Sequence, residues 1–301
     1  MQLSANGLAI EVVDQGPPDG PPLLLIMGLG MQLTAWPAGL VAMLVARGFR
    51  VIRIDNRDAG LSQGFDALGG PNVASAALRY FLRLPVPTAY TLGDMADDAW
   101  AVLDTLGIGQ ARVCGASMGG MIAQHMAARQ PGRVTRLTLL MTSSGARKLP
   151  QPRLKVRAAL LERRAAGGLN VDAEVARLTR LFTLIGSPAF RPEAAEFKAR
   201  LTASVERAWR PNGVARQLIA VAADGDRSRL LARIIAPTHI VHGAADPLVP
   251  VAAAHDLRAK IAGATLEIID SMGHDLPAAL WPRLAAAIAG PGSGPATDSC
   301  P

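Results

Sequence analysis

Residues 111–128 read Ala-Arg-Val-Cys-Gly-Ala-Ser-Met-Gly-Gly-Met-Ile-Ala-Gln-His-Met-Ala-Ala. An apolar run, Ala111 to Cys114, leads into Gly115-Ala116-Ser117-Met118-Gly119, and a helix-patterned run, Gly120 to Ala128, follows at once. Strand, glycine-flanked serine and helix in that order let a serine take a strained backbone that only small neighbours tolerate. The helix N-terminus behind it favours negative charge at the same place. Ser117 is therefore the candidate nucleophile.

The pattern alone does not decide this, because Gly60-Leu61-Ser62-Gln63-Gly64 fits it too. That second match lies beyond the strand-like Val51 to Asp55 and runs on into Phe65-Asp66-Ala67-Leu68-Gly69-Gly70-Pro71, a loop. With no strand directly before it and no helix after it, Ser62 reads as a loop serine.

Outward from the serine, short apolar runs alternate with longer amphipathic ones, the pattern of a mostly parallel α/β sheet covered on both faces. Strands are expected at Leu8–Val13, Pro22–Met27, Arg50–Ile54, Ala111–Cys114, Val134–Met141, Thr238–His242 and Thr265–Ile269. Helices are expected at Ala38–Arg47, Thr91–Leu106, Gly120–Gln130, Val251–Ile261 and Pro277–Ala289. Gly48, Gly107 and Pro131-Gly132 stand where helices should stop.

Between Met141 and Thr238 no strand is apparent. Helical periodicity is seen in Leu154–Arg164, Ala173–Phe182, Glu193–Trp209 and Gly213–Ala223, with breaks at Gly167-Gly168, Gly186-Ser187-Pro188 and Pro211-Asn212-Gly213. The expected organisation is a core of residues 1–144 and 234–290, a helical cap of 145–233 and a flexible tail of 291–301.

The 301 residues are half apolar and carry a net charge of +7. Residues 145–233 hold 18 basic against 8 acidic residues, a net +10, and the remainder is −3. The basic charges fall at helical spacing without interleaved aromatics, so they read as a solvated face, and neither nucleic acid nor membrane is an expected partner. No run approaches a membrane span, and the opening residues lack the pattern of a secretory signal. Cys114 and Cys300 form no disulfide framework, and a cytoplasmic location is expected.

A serine hydroxyl attacks only when a histidine takes its proton, and the histidine needs a carboxylate to fix its tautomer. His125 and His255 fall in helices and His239 in a strand, whereas His274 follows Ser271-Met272-Gly273 just past a strand. Asp246, in Gly243-Ala244-Ala245-Asp246-Pro247, also lies just past a strand. Functional groups of open α/β sheets gather at such carboxyl ends. Asp270 and Asp275 flank His274 too closely to face its ring, and His242 reads as a structural strand-end residue. The order Ser117, Asp246, His274 results.

These segments, together with Met27-Gly28-Leu29-Gly30 and Asp55-Asn56-Arg57-Asp58, make the chain resemble the α/β-hydrolase fold family over roughly residues 8 to 289. More narrowly it is similar to small-molecule esterases of the aclacinomycin methylesterase group. The resemblance implies an oxyanion hole donated by the backbone N–H groups of Leu29 and Met118, though Met27 stands where the family usually has histidine. Met31 and Trp36 are expected in an apolar substrate pocket with Met27, Met118 and Met121 nearby.

The expected activity is hydrolysis of carboxylic esters of small, fairly apolar molecules through an acyl-enzyme, by a monomer or homodimer. Lactone, carbon–carbon bond or perhydrolysis chemistry would use the same triad, and a non-catalytic ligand binder on the same fold is the alternative of another class. No metal-ligand spacing or dinucleotide fingerprint occurs, so no cofactor is expected.

Overall fold

The computed structural model describes residues 1–160, 162 and 168–291. Eight strands form one sheet: β1 (Gln2–Ala5), β2 (Leu8–Gln15), β3 (Pro22–Ile26), β4 (Arg50–Ile54), β5 (Ala111–Ala116), β6 (Val134–Leu140), β7 (Thr238–Gly243) and β8 (Thr265–Ile269). Their spatial order is β1-β2-β4-β3-β5-β6-β7-β8. β1 and β2 are antiparallel to their neighbours and the rest run parallel.

The innermost parallel strands are buried on both faces, which is why β3 reads as an unbroken apolar run. β3 shows it residue by residue. Leu24 and Ile26 enter one core with Trp100, Ile122 and Met126, while Leu23 and Leu25 enter the other with Leu40, Leu44 and Leu284. On the first face pack α3 (Leu92–Thr105) and α4 (Met118–Arg129), and on the second α1 (Ala38–Val45) and α11 (Trp281–Ala289). Thr91 caps α3 through a reciprocal capping box with Asp94, which satisfies two otherwise unpaired N–H groups. α10 (Ala252–Lys260) lies between β7 and β8.

All seven expected strands are present, shifted by no more than two residues at an end. β1 was not expected. It is four residues long and pairs with β2 through a two-residue turn, Asn6 (φ 51°) and Gly7 (φ 74°), the left-handed pair that an Asn-Gly hairpin requires. Also unexpected is α2 (Val73–Phe81), of which only Ala76 is buried.

Between β6 and β7 run α5 (Leu154–Leu160), α6 (Val171–Ile185), α7 (Ala194–Arg207), α8 (Pro211–Asp224) and the short α9 (Ser228–Leu231). Residues 161 and 163–164 of the first expected helix here, Gly167 and residues 292–301 of the expected tail lie outside the described residues. Pro211-Asn212-Gly213 is not a break. It is the first turn of α8 with Pro at its start, where the missing N–H and fixed φ suit a helix. No helix among the described residues is long and apolar enough to cross a membrane.

Candidate active site

Ser117 ends β5 and starts α4 with φ 55° and ψ −119°, a conformation that costs an L-residue roughly 1–3 kcal/mol. Neighbouring bonds hold it there. Its N–H donates to Leu140 O at 2.9 Å, and its carbonyl accepts from Gly120 N, Met121 N and Thr142 Oγ1 at 3.0, 3.2 and 2.6 Å. A Cβ on Gly115 would sit 2.2 Å from Gly119 O, and one on Gly119 would sit 2.1 Å from Ile26 O. The glycines of the motif are thus places where two backbones meet.

The loop after β3 lies against the serine: a Cβ on Gly28 would be 3.1 Å from Ser117 Cβ. Met27 turns its side chain into the core, and its carbonyl accepts from Asn56 Nδ2 at 2.9 Å. The loop's shape therefore does not depend on a histidine at 27. The N–H groups of Leu29 and Met118 have no protein acceptor among the described residues, so both remain available as donors.

Asp246 and His274 are brought together. His274 Nδ1 lies 2.7 Å from Asp246 Oδ2, and the carboxylate is fully buried. Asp246 Oδ1 accepts from the N–H groups of Leu248 and Val249, both at 2.8 Å. With Nδ1 donating to the carboxylate, Nε2 is the nitrogen left as a base. The loops carrying Ser117, Asp246 and His274 all leave the carboxyl end of the sheet, after β5, β7 and β8. Ser117 and His274 are not hydrogen-bonded to one another, a contact that in free enzymes often tightens only with substrate.

The other titratable neighbours are occupied elsewhere. His242 Nε2 bonds Val249 O at 2.7 Å and lies 3.7 Å from Asp246 Oδ2, with Nδ1 unpartnered. Burial pushes its pKa below the ordinary value, which disfavours the charged imidazole. Asp275 bonds Ser187 and not His274. His125 pairs with Asp224, and His239 with Thr265 and Glu267. Ser62 is buried and bridges Asp55 O and Glu11 N.

Trp36 is 1 % exposed in the core beneath the loop, with Met31 half-buried against the same cluster. Two surface clefts, of about 220 and 310 Å³, lie apart from these residues, the first lined by Leu68, Pro71, Pro87 and Arg216, the second by Ala38, Val41 and Arg53.

Sequence reasoning missed the contacts from the inserted helices. Gln217 of α8 accepts from Gly30 N at 2.8 Å and donates to Arg57 O at 2.7 Å. Arg216 grips Asp58 through two nitrogens at 2.7 and 2.9 Å, and Arg207 reaches Asp55 at 2.8 Å. The one available signal was the acid-rich Asp55-Asn56-Arg57-Asp58 facing an arginine-rich insertion of opposite charge.

A strained serine between strand and helix is the arrangement seen at a nucleophile elbow, and residues 21–277 match the family model described as alpha/beta hydrolase fold. The chain belongs to that family. It is 31% identical to a rhodomycin D methylesterase of Streptomyces sp. (strain C5), covering 91% of each chain, and 29% identical to a 3-oxoadipate enol-lactonase of Acinetobacter baylyi, covering 89% of this chain and 88% of that one. Among solved structures, an enol-lactonase from Burkholderia xenovorans LB400 superposes with TM-score 0.69 at 21% identity, over 96% of both chains. The expected class, a serine hydrolase of ester bonds, stands with these relatives.

Proposed function

We propose that Ser117, His274 and Asp246 form a catalytic triad that cleaves carboxylic esters of small, fairly apolar molecules. The observation that carries this is the His274–Asp246 bond, which leaves one imidazole nitrogen free at the same sheet end as the strained Ser117. His274 Nε2 takes the Ser117 proton as Oγ attacks the ester carbonyl, and Asp246 holds the tautomer and stabilises the imidazolium. The Leu29 and Met118 N–H groups receive the developing oxyanion, each contributing about 3 kcal/mol. The imidazolium returns its proton to the departing alcohol. Water, deprotonated by His274, then hydrolyses the acyl-Ser117 intermediate.

Residues 145–233 act as the cap over this centre, with Met31 on the apolar side of the substrate space and Trp36 packed in the core beneath it. The methylesterase relatives make methyl esters the first substrates to try. The buried free thiol of Cys114 suits the reducing cytoplasm.

The test is labelling with a fluorophosphonate, mapped by mass spectrometry, beside turnover of p-nitrophenyl and methyl esters. The adduct is expected on Ser117, and Ser117→Ala is expected to remain folded, unlabelled and inactive. Full activity in that variant, or an adduct elsewhere, overturns the assignment. A panel adding a lactone and a vinylogous diketone separates ester from lactone and carbon–carbon bond cleavage.

A further inference from the structure

The loop bearing His274 is fastened residue by residue to the end of α6, an element of the inserted helices and not of the sheet. Gly273 N–H donates to Ser187 Oγ at 2.8 Å, and His274 N–H donates to Ile185 O at 2.8 Å. Asp275 accepts from Ser187 twice, from its N–H at 3.0 Å and from its hydroxyl at 2.5 Å. The Ser187 hydroxyl is therefore a relay that accepts from the residue before the histidine and donates to the residue after it. Ser187 is only 3 % exposed.

The chains touch so closely that a Cβ on Gly273 would lie 2.4 Å from the Gly186 carbonyl carbon, and one on Gly186 would lie 3.1 Å from Asp275 Oδ2. The same helix end reaches the acid. Ile185 packs with Val156 and Leu181 in a small cluster against Leu248, the residue whose N–H holds Asp246 Oδ1. One helix terminus thus supports both partners of the His274–Asp246 bond.

We infer that Ser187 is a positioning residue for catalysis, which sets the His274 imidazole from the cap through the Gly273 N–H and the Asp275 carboxylate. The inference rests on His274 being the base. A bare alanine at this place leaves the Gly273 N–H without an acceptor in a buried site and releases Asp275 from one of its two bonds. The imidazole then samples geometries away from the serine, and misplacement of about 1 Å lowers a rate by up to ~10²-fold.

The experiment compares wild type, Ser187→Ala and Ser187→Thr for kcat, KM, the pH profile of kcat and the downfield proton NMR signal of the His274 Nδ1–H on Asp246. Ser187→Ala is expected to lower kcat roughly ten- to hundredfold with KM within about twofold. The pH midpoint should move and the downfield signal should shift or broaden, while Ser187→Thr, which keeps the hydroxyl, restores most of both. Unchanged kcat with an unshifted signal in Ser187→Ala overturns the inference. So does a loss of activity matched by loss of folded protein, with turnover per folded molecule intact. Ser117→Ala reports separately on the triad: if it stays active the nucleophile assignment fails, whereas the NMR signal in Ser187→Ala still shows whether Ser187 sets the imidazole.

Discussion

Asp246 Oδ2 and His274 Nδ1 stand 2.7 Å apart on loops from neighbouring strands, and the other oxygen of Asp246 is taken up by two backbone N–H groups. The carboxylate is thus aimed before substrate arrives. Its orientation does not depend on the histidine, because Leu248 and Val249 hold it from behind.

Replacing Asp246 by Asn tests this division of labour. The amide oxygen can keep the bonds to Leu248 and Val249, which turns the amide nitrogen toward His274 and forces the hydrogen onto Nε2. The variant is expected to fold normally and to lose about 10⁴ in kcat, as wrong-tautomer variants of such triads do. Steady-state kinetics with circular dichroism checks both halves of the expectation.

Gly119→Ala probes the packing of the elbow. The added methyl would meet Ile26 O at 2.1 Å and Met27 O at 2.7 Å, both backbone atoms where β3 runs into the loop that carries the proposed oxyanion donor Leu29. Overpacking of this sort costs about 1–3 kcal/mol or more. A lower urea midpoint and a loss of kcat are expected together, whereas Gly132→Ala, where a Cβ meets nothing within 4 Å, should change neither.

Acid stability follows from His242. Burial holds its native pKa below the ordinary 6.5, assisted by His274 and His255 and opposed by the Val249 carbonyl and Asp246. Between the native value and 6.5 the unfolded chain binds a proton that the native state does not, so this contribution to stability is full above pH 6.5 and declines as pH falls. Urea unfolding of His242→Gln is expected to show a flatter decline between neutral and mildly acid pH than wild type, and an equally steep one would refute the assignment.

Arg216 and Asp58 form a buried pair, with side-chain exposures of 3 and 0 %. Burial raises the Asp58 pKa, but Arg216, the Phe65 N–H and the Tyr90 hydroxyl outweigh it and keep the carboxyl below its usual range. Arg216→Leu strands that charge, at an expected cost of about 3–5 kcal/mol. Asp58→Asn in the same chain should recover part of it, and denaturant titration of the single and double variants measures the coupling.

The sheet was legible because its central strands are largely buried and bear short runs rich in Val, Ile and Leu. β1 escaped notice, although Asn6-Gly7 was the signal for it, because Gln2–Ala5 alternates too briefly to stand out. Ser117, Asp246 and His274 could be proposed because each follows the carboxyl end of a strand within a few residues, a position that chain order alone reveals. Ser187 and Gln217 could not, since their partners lie 86 and 187 residues away and nothing local in Gly186-Ser187-Pro188 or Ala215 to Ile219 differs from an ordinary turn or helix. Side-chain latches between distant segments leave no periodicity in a sequence.

The inserted helices leave the sheet after Leu140 and return at Thr238, on strands that pair directly, Leu137 with Thr238. Such an excursion looks like an interchangeable cassette, whose replacement would leave the strand register untouched. In this enzyme it is not a free-standing one. A transplanted insertion would have to bring its own hydroxyl for Gly273 and its own carboxamide for Gly30, or leave both loops of the sheet without the bonds that now hold them.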